Sequence, residues 1–223
     1  MLDERMAVEF QIIAGDPCLD FINTLDNRPA PKRHTEFLAA YRDLADWAQQ
    51  AGIIALAQHA ELLREAEEHP SAATAALRKS IELRECLYRI ISNRLNNRQP
   101  ASDDIALFNR FLGEALSNLQ LQPERGRFRL NWNQSLRPKL DAVLWPVVRS
   151  ASDLLTSPDL ELVRECDSPS CRWLFVDRSK NHSRRWCDMK ICGNRLKAQR
   201  FYRRQRPVSW IPSILPKRKN PGT

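Results

Sequence analysis

A mainly α fold is predicted for this chain: an all-α N-terminal domain followed by a small C-terminal finger built on cysteines. Three observations predict it. Apolar residues recur at helical spacing through most of the chain up to Leu155. Four of the six cysteines, Cys166, Cys171, Cys187 and Cys192, are gathered near the C-terminal end as two pairs. Charge divides along the same line. From Glu161 onward there are 16 Lys and Arg against 5 Asp and Glu, a net +11. The preceding residues carry 19 against 22, a net −3, which together give the chain's +8. Such asymmetry suggests a polyanion-binding module joined to a near-neutral partner.

The elements follow in order. Val8 to Ile13 is a short apolar stretch, read as a strand or a cap on the core. Gly15-Asp16-Pro17 is a turn and helix start, with Asp16 as N-cap and Pro17 at the first helical position. Cys18, Ile22 and Leu25 share its core face. Asp20, Asn23 and Thr24 fall on another face, with Arg28 nearby. One reading makes these four the wall of a ligand pocket. The preferred reading has them tie this segment to neighbouring backbone, the usual work of buried short polar side chains. Thr35 is placed to cap a helix whose stripe includes Leu38, Tyr41, Leu44, Trp47 and Ala48, with Gly52 as its stop. A helix over 55–68, a long one from Pro70 to about Asn97 and another from Asp103 to Leu119 follow. His59 and His69 read as surface residues. Residues 127–132 alternate polar and apolar, the period of a half-buried strand. Leu140 to Leu155 is helical, and Pro146 should shorten or kink it unless a second segment starts there. Cys18 and Cys86 stand alone and read as buried small hydrophobes. The domain boundaries expected are 1–157 for the helical domain, 158–206 for the finger and 207–223 for a Pro-rich basic tail.

The finger carries the chemistry. Each cysteine pair has four residues between its members, and fifteen separate the pairs. Thiolates are soft donors, and four at tetrahedral geometry select Zn²⁺. Asp167, Ser168, Pro169 and Ser170 are the turn formers that a knuckle around one side of an ion needs. Leu160 to Val163 is expected as a first strand, and 172–186 as a β-hairpin with a polar loop. The last ligand, Cys192, opens a basic helix. Knuckle, hairpin and helix make a treble-clef layout. Four protein thiolates leave no open coordination position, so the Zn²⁺ is structural and no catalytic residues are assigned.

Cys192-Gly193-Asn194-Arg195, with Lys197 two residues on, resembles the signature of the CGNR zinc-finger family, bacterial proteins regarded as stress-induced transcription regulators. Gly15 to Leu25, GDPCLDFINTL, is similar to the start of the ABATE domain that accompanies that finger. The resemblance covers nearly the whole chain. It implies the zinc finger and a regulatory role in transcription.

Counting 100° per residue along the terminal helix, Lys197, Arg200, Arg203 and Arg204 lie on one side. Ile191, Ala198 and Tyr202 lie opposite with Phe201 at their edge, and are expected to pack near Trp173 or Phe175. Arg178, Lys180, Arg184 and Arg185 extend the basic surface. Gly193, Asn194 and Arg195 are read as support around the metal, whose four thiolates leave a net −2. The function expected is a DNA-binding transcriptional regulator in which the finger grips double-stranded DNA. The helical domain would dimerise or sense a small-molecule signal. RNA binding, or a zinc-shaped surface for protein interaction, are the alternatives. With only 6 Gly there is little material for a phosphate-cradling loop. No apolar run reaches the length of a membrane span, and MLDERMAVEF lacks the apolar core of a signal peptide. A cytoplasmic protein is therefore expected, and reduced thiolates suit that compartment.

Overall fold

The computed structural model describes residues 8–30, 32–133 and 139–205, with the side chains of 199, 200 and 203–205 outside the description. The tail from 207 also lies outside the described residues. Asp16 caps the first helix, α1 (Pro17–Ile22), its side chain accepting from Cys18 N at 3.0 Å. α1 is short and almost wholly buried. Leu25 leaves the helix for a two-residue strand, β1 (Leu25–Asp26), paired antiparallel with β2 (Thr35–Glu36). Thr35 therefore caps no helix. The next one, α2 (Tyr41–Gln50), begins at Ala40, where the Asp43 carboxylate accepts from Ala40 N at 2.7 Å. An extended pairing took Thr35, and the acid three residues into the helix satisfied the free N–H instead.

Three helices follow: α3 (Leu56–Glu68), the long α4 (Pro70–Leu95) and α5 (Ser102–Ser117). They pack with α2 around Leu44, Trp47, Leu83, Leu87 and Ile91, all fully buried. The N-terminal region is not purely helical. β3 (Leu119–Glu124) and β4 (Arg127–Trp132) form a hairpin turned by Arg125 and Gly126, both at positive φ. The strand is more exposed than its alternation suggested: Phe128 is 70% exposed, and only Trp132 at the hairpin's base meets the core, against Trp145. α6 (Leu144–Thr156) starts late, so Pro146 sits in its first turn, where no helical N–H is needed.

One ion-pair network braces α4 against the β1–β2 hairpin. The Arg84 guanidinium, 2% exposed, donates to both Glu36 oxygens at 2.6 Å, to Glu85 Oε1 at 2.9 Å and to Thr24 Oγ1 at 3.2 Å. Truncating one partner of a buried pair strands the others. Arg84→Met is expected to lower unfolding free energy by about 3 kcal/mol, read from denaturant midpoints. A loss below about 1 kcal/mol would show that water reaches Glu36 readily enough to replace the guanidinium.

The C-terminal region opens with a 3₁₀ turn, Pro158–Leu162, so the strand expected there begins later. β5 (Val163–Glu165) pairs with β6 (Leu174–Val176), and the first cysteine pair lies in the loop between them. Residues 172–186 are not a hairpin by themselves. β6 finds its partner upstream, and 177–188 is a loop. Met189–Gly193 is a single π turn leading into α7 (Asn194–Gln205), so Cys192 sits just before the helix.

Finger and helices share one core. Val176 N donates to Ala14 O at 2.8 Å, which lays the segment before α1 alongside β6. Gly15, at φ +82°, lies against Val176, where a side chain would be strained. The Asn23 amide donates to Leu174 O and accepts from Leu174 N, both at 2.9 Å. Val163, Leu174 and Phe175 are fully buried in the same cluster as Phe21 and Ile22.

Candidate metal centre and basic surface

Two turns bring the four sulfurs together. The first is the β5–β6 loop, where Cys166 N donates to Trp173 O at 2.8 Å and Cys171 N to Ser168 O at 3.0 Å. The second is the π turn. There the Asp188 carboxylate accepts from Ile191 N at 2.8 Å and the Asp188 carbonyl from Cys192 N at 3.0 Å. The four Sγ atoms lie within 4.8 Å of one another and all four residues are buried. Cys171–Cys187 and Cys187–Cys192 are each 3.6 Å apart. That is far too long for a disulfide. It is close to the roughly 3.8 Å edge of a tetrahedron of sulfurs about 2.3 Å from zinc. Among the described residues no carboxylate or imidazole joins the cluster. An all-sulfur, buried, tetrahedral donor set fits structural Zn²⁺. The sulfurs already share charge: the Cys166 thiol is held well below its usual range because Cys171, then Cys187 and Cys192, donate to it.

The groups bracing the centre are mostly ones that the sequence did not announce. Arg184 donates to the carbonyls of Cys187 and, at 2.9 Å, Trp186, and lies over the Phe175 ring at 4.4 Å. Asp177, fully buried, organises the loop by accepting from Ser179 N, Ser179 Oγ and Arg184 N. Burial pushes its carboxyl up, but the Ser179 hydroxyl and the two backbone donors outweigh that and hold it below the usual carboxylate range. The legible signals were Asp188 three residues before Ile191, an N-cap spacing, and Asp177-x-Ser179, an Asx-turn pattern. Of the residues read as support, Gly193 is buried where a Cβ would collide with Met189 Sδ. Asn194 is exposed at the start of α7, and Arg195 approaches Ser170 Oγ at 3.5 Å.

The basic residues separate into two groups. Arg178 donates to Gly15 O at 2.9 Å and pairs with Asp159 at 2.6 Å. Arg185 pairs with Asp167 at 2.6 Å, and Arg184 holds the carbonyls named above. These three are engaged with other groups of the protein, Arg178 and Arg185 in exposed surface pairs. Lys180 and Lys197 are exposed and have no carboxylate partner among the described residues. Arg200, Arg203 and Arg204 lie on α7, with side chains outside the described residues. α7 touches chiefly the π turn, so it projects from the metal centre. Phe201 and Tyr202 do not pack on Trp173 or Phe175. They are 57% and 67% exposed, stacked edge-on against each other at 5.7 Å. The finger's hydrophobic core closes on α1 instead.

Asp20, Asn23, Thr24 and Arg28 do not converge on one cavity. Asp20 Oδ1 accepts from Ile13 N and Ala14 N, both at 2.9 Å. Asn23 grips Leu174, and Thr24 Oγ1 donates to Phe21 O at 2.7 Å. Arg28 alone lines a cavity, one of about 480 Å³. Burial raises the Asp20 carboxyl to about 6 against the pull of the two backbone donors. A raised native pKa favours the folded state below the unfolded value, near 4, and the benefit is lost as pH rises through 6. The ionised Asp20 thus costs on the order of 2–3 kcal/mol at neutral pH. Asp20→Asn keeps an acceptor oxygen for both amides. Its stability advantage over wild type is expected to grow from near zero at pH 4 to that value at pH 7, measured by denaturant unfolding. A pH-independent difference would rule out titration of Asp20 in this range.

Cys18 and Cys86 are both buried, and burial pushes the Cys18 thiol up and the Cys86 thiol to about 11. Neither is poised as a thiolate. No helix among the described residues is long and apolar enough to cross a membrane.

Two family models match the chain. The ABATE model, described as "Putative stress-induced transcription regulator", matches residues 15–158. The CGNR zinc finger model matches residues 163–205. No curated protein matches it.

Proposed function

The chain belongs to the ABATE family and carries a CGNR zinc finger, and from that premise we propose that it is a DNA-binding transcriptional regulator. The observation that carries the reading is α7. A zinc-anchored helix stands away from the body, exposes Lys197 and carries Arg200, Arg203 and Arg204 in its sequence, with no acidic residue between Asn194 and Gln205. Such a helix suits the phosphates or major groove of a duplex. Phe201 and Tyr202, exposed beside these cations, add ring faces that contact sugar or base edges. The helical part, up to residue 157, is assigned sensing or dimerisation, since one small finger alone has limited affinity.

The test is binding of the zinc-loaded chain to a mixed-sequence duplex over a salt series. Log K is expected to fall with log salt at a slope of roughly −3 to −5, one phosphate per engaged cation of α7 and Lys180. Single-stranded RNA as competitor is expected to displace the duplex poorly. Absence of binding at low salt, with zinc confirmed present, would move the assignment to a protein-interaction module.

A further inference from the structure

The cavity of about 480 Å³ lies where the helical part meets the finger. One wall is α4, with Glu85, Tyr88 and Ser92, and the Arg28 guanidinium lies flat over the Tyr88 ring at 4.0 Å. The other wall is the finger, with Glu165 and Arg172, the residues immediately before Cys166 and after Cys171. The size is that of a small-molecule site.

Two features of this cavity bear on a ligand. Arg172 has φ +66°, the left-handed region that favours glycine. The chain keeps an arginine there, with its guanidinium turned to the cavity, where Nε pairs with Glu165 Oε1 at 2.8 Å. The knuckle sets that backbone, since Cys166 N donates to Trp173 O around it, and it holds the arginine at the cavity wall. Next, that pair is half used. The terminal nitrogens of Arg172, whose side chain is half exposed, and the second oxygen of Glu165 have no protein partner among the described residues, so a cation and an anion open to a ligand stand side by side.

The charge balance selects the ligand class. Arg28 and Arg172 face Glu85 and Glu165, so the lining is formally neutral when His34, at its rim, is uncharged. A polyanion such as a nucleotide would meet two carboxylates. An apolar ligand would strand the Arg172–Glu165 pair. A dipolar molecule fits both halves. We propose that this cavity binds a small zwitterion of the α-amino-acid class. Its carboxylate is held by the Arg172 terminal N–H groups, its ammonium by Glu165, and its side chain lies along the Arg28–Tyr88 stack. The assignment is independent of the nucleic-acid reading, and its test needs no DNA.

The experiment is calorimetric titration of the zinc-loaded full chain with each of the common amino acids. At least one is expected to bind with millimolar or better affinity. Its N-acetyl methylamide, without either charge, is expected to bind at least tenfold more weakly. Arg172→Gly relieves the left-handed strain, so zinc content and unfolding midpoint are expected to hold while binding is lost. Glu165→Gln, which keeps the shape of the side chain, is expected to weaken binding at least tenfold. No binding by any amino acid, equal binding of the uncharged derivative, or wild-type affinity in either variant would overturn the proposal.

Discussion

Cys187→Ser is expected to abolish stoichiometric zinc and unfold the finger, with loss of stability reaching the helical part. Cys187 is central to the cluster, 3.6 Å from both Cys171 and Cys192. A serine oxygen is a harder and far less acidic donor, and three thiolates hold zinc much more weakly than four. Structural zinc contributes roughly 10 kcal/mol or more to folding a module of this size. The finger has little to offset such a loss, since β5 and β6 pair over only three residues each. The damage spreads because Val163, Leu174 and Phe175 belong to the same buried cluster as Phe21 and Ile22. Metal analysis should fall from one zinc per chain to far below, and the far-UV circular dichroism and unfolding midpoint should drop together. Retained stoichiometric zinc would remove Cys187 from the ligand set. Loss of zinc with an unchanged midpoint would show that the shared core holds without the metal.

The second large effect concerns α7. Replacing Arg200, Arg203 and Arg204 together with alanine is expected to lower duplex affinity at low salt by at least 100-fold. The slope of log K against log salt should fall by about three. Zinc content and unfolding midpoint are expected to stay unchanged, because α7 meets the body chiefly at the π turn. A change in affinity without a change in slope would mean that the arginines act on the helix rather than on phosphates.

What was legible in the sequence was whatever is encoded locally. The buried stripes of α2, α4 and α5 follow from helical period, and the Asp16 cap from its place before Pro17. The four sulfurs are found from spacing alone, because each pair must wrap one side of an ion from one turn. Pairings across the chain were not legible. Thr35 has the chemistry of a helix cap, but β1 lies across from it. Residues 172–186 have a hairpin's composition, yet β6 pairs with β5 over the knuckle. Arg178 and Arg185 read as unpaired cations until Asp159 and Asp167 come within 2.6 Å at the surface. A cation's partner is a long-range fact, and local pattern carries no trace of it. The cavity at Arg172 and Glu165 is of the same kind, since α4 supplies its other wall from 80 positions away.

The grip of Asn23 on residue 174 bears on how such chains can diverge. The amide holds the main chain of its neighbour, donating to one backbone group and accepting from another. The contact therefore asks nothing of the side chain at 174, which the closed core alone constrains to an apolar group of similar size, while position 23 admits almost nothing else. Aspartate lacks the donor, leucine both, and glutamine is one methylene too long. Among related chains position 23 should be close to invariant while 174 varies among apolar residues of similar volume. A finger of this type should also fail when moved by recombination onto a helical body without that asparagine.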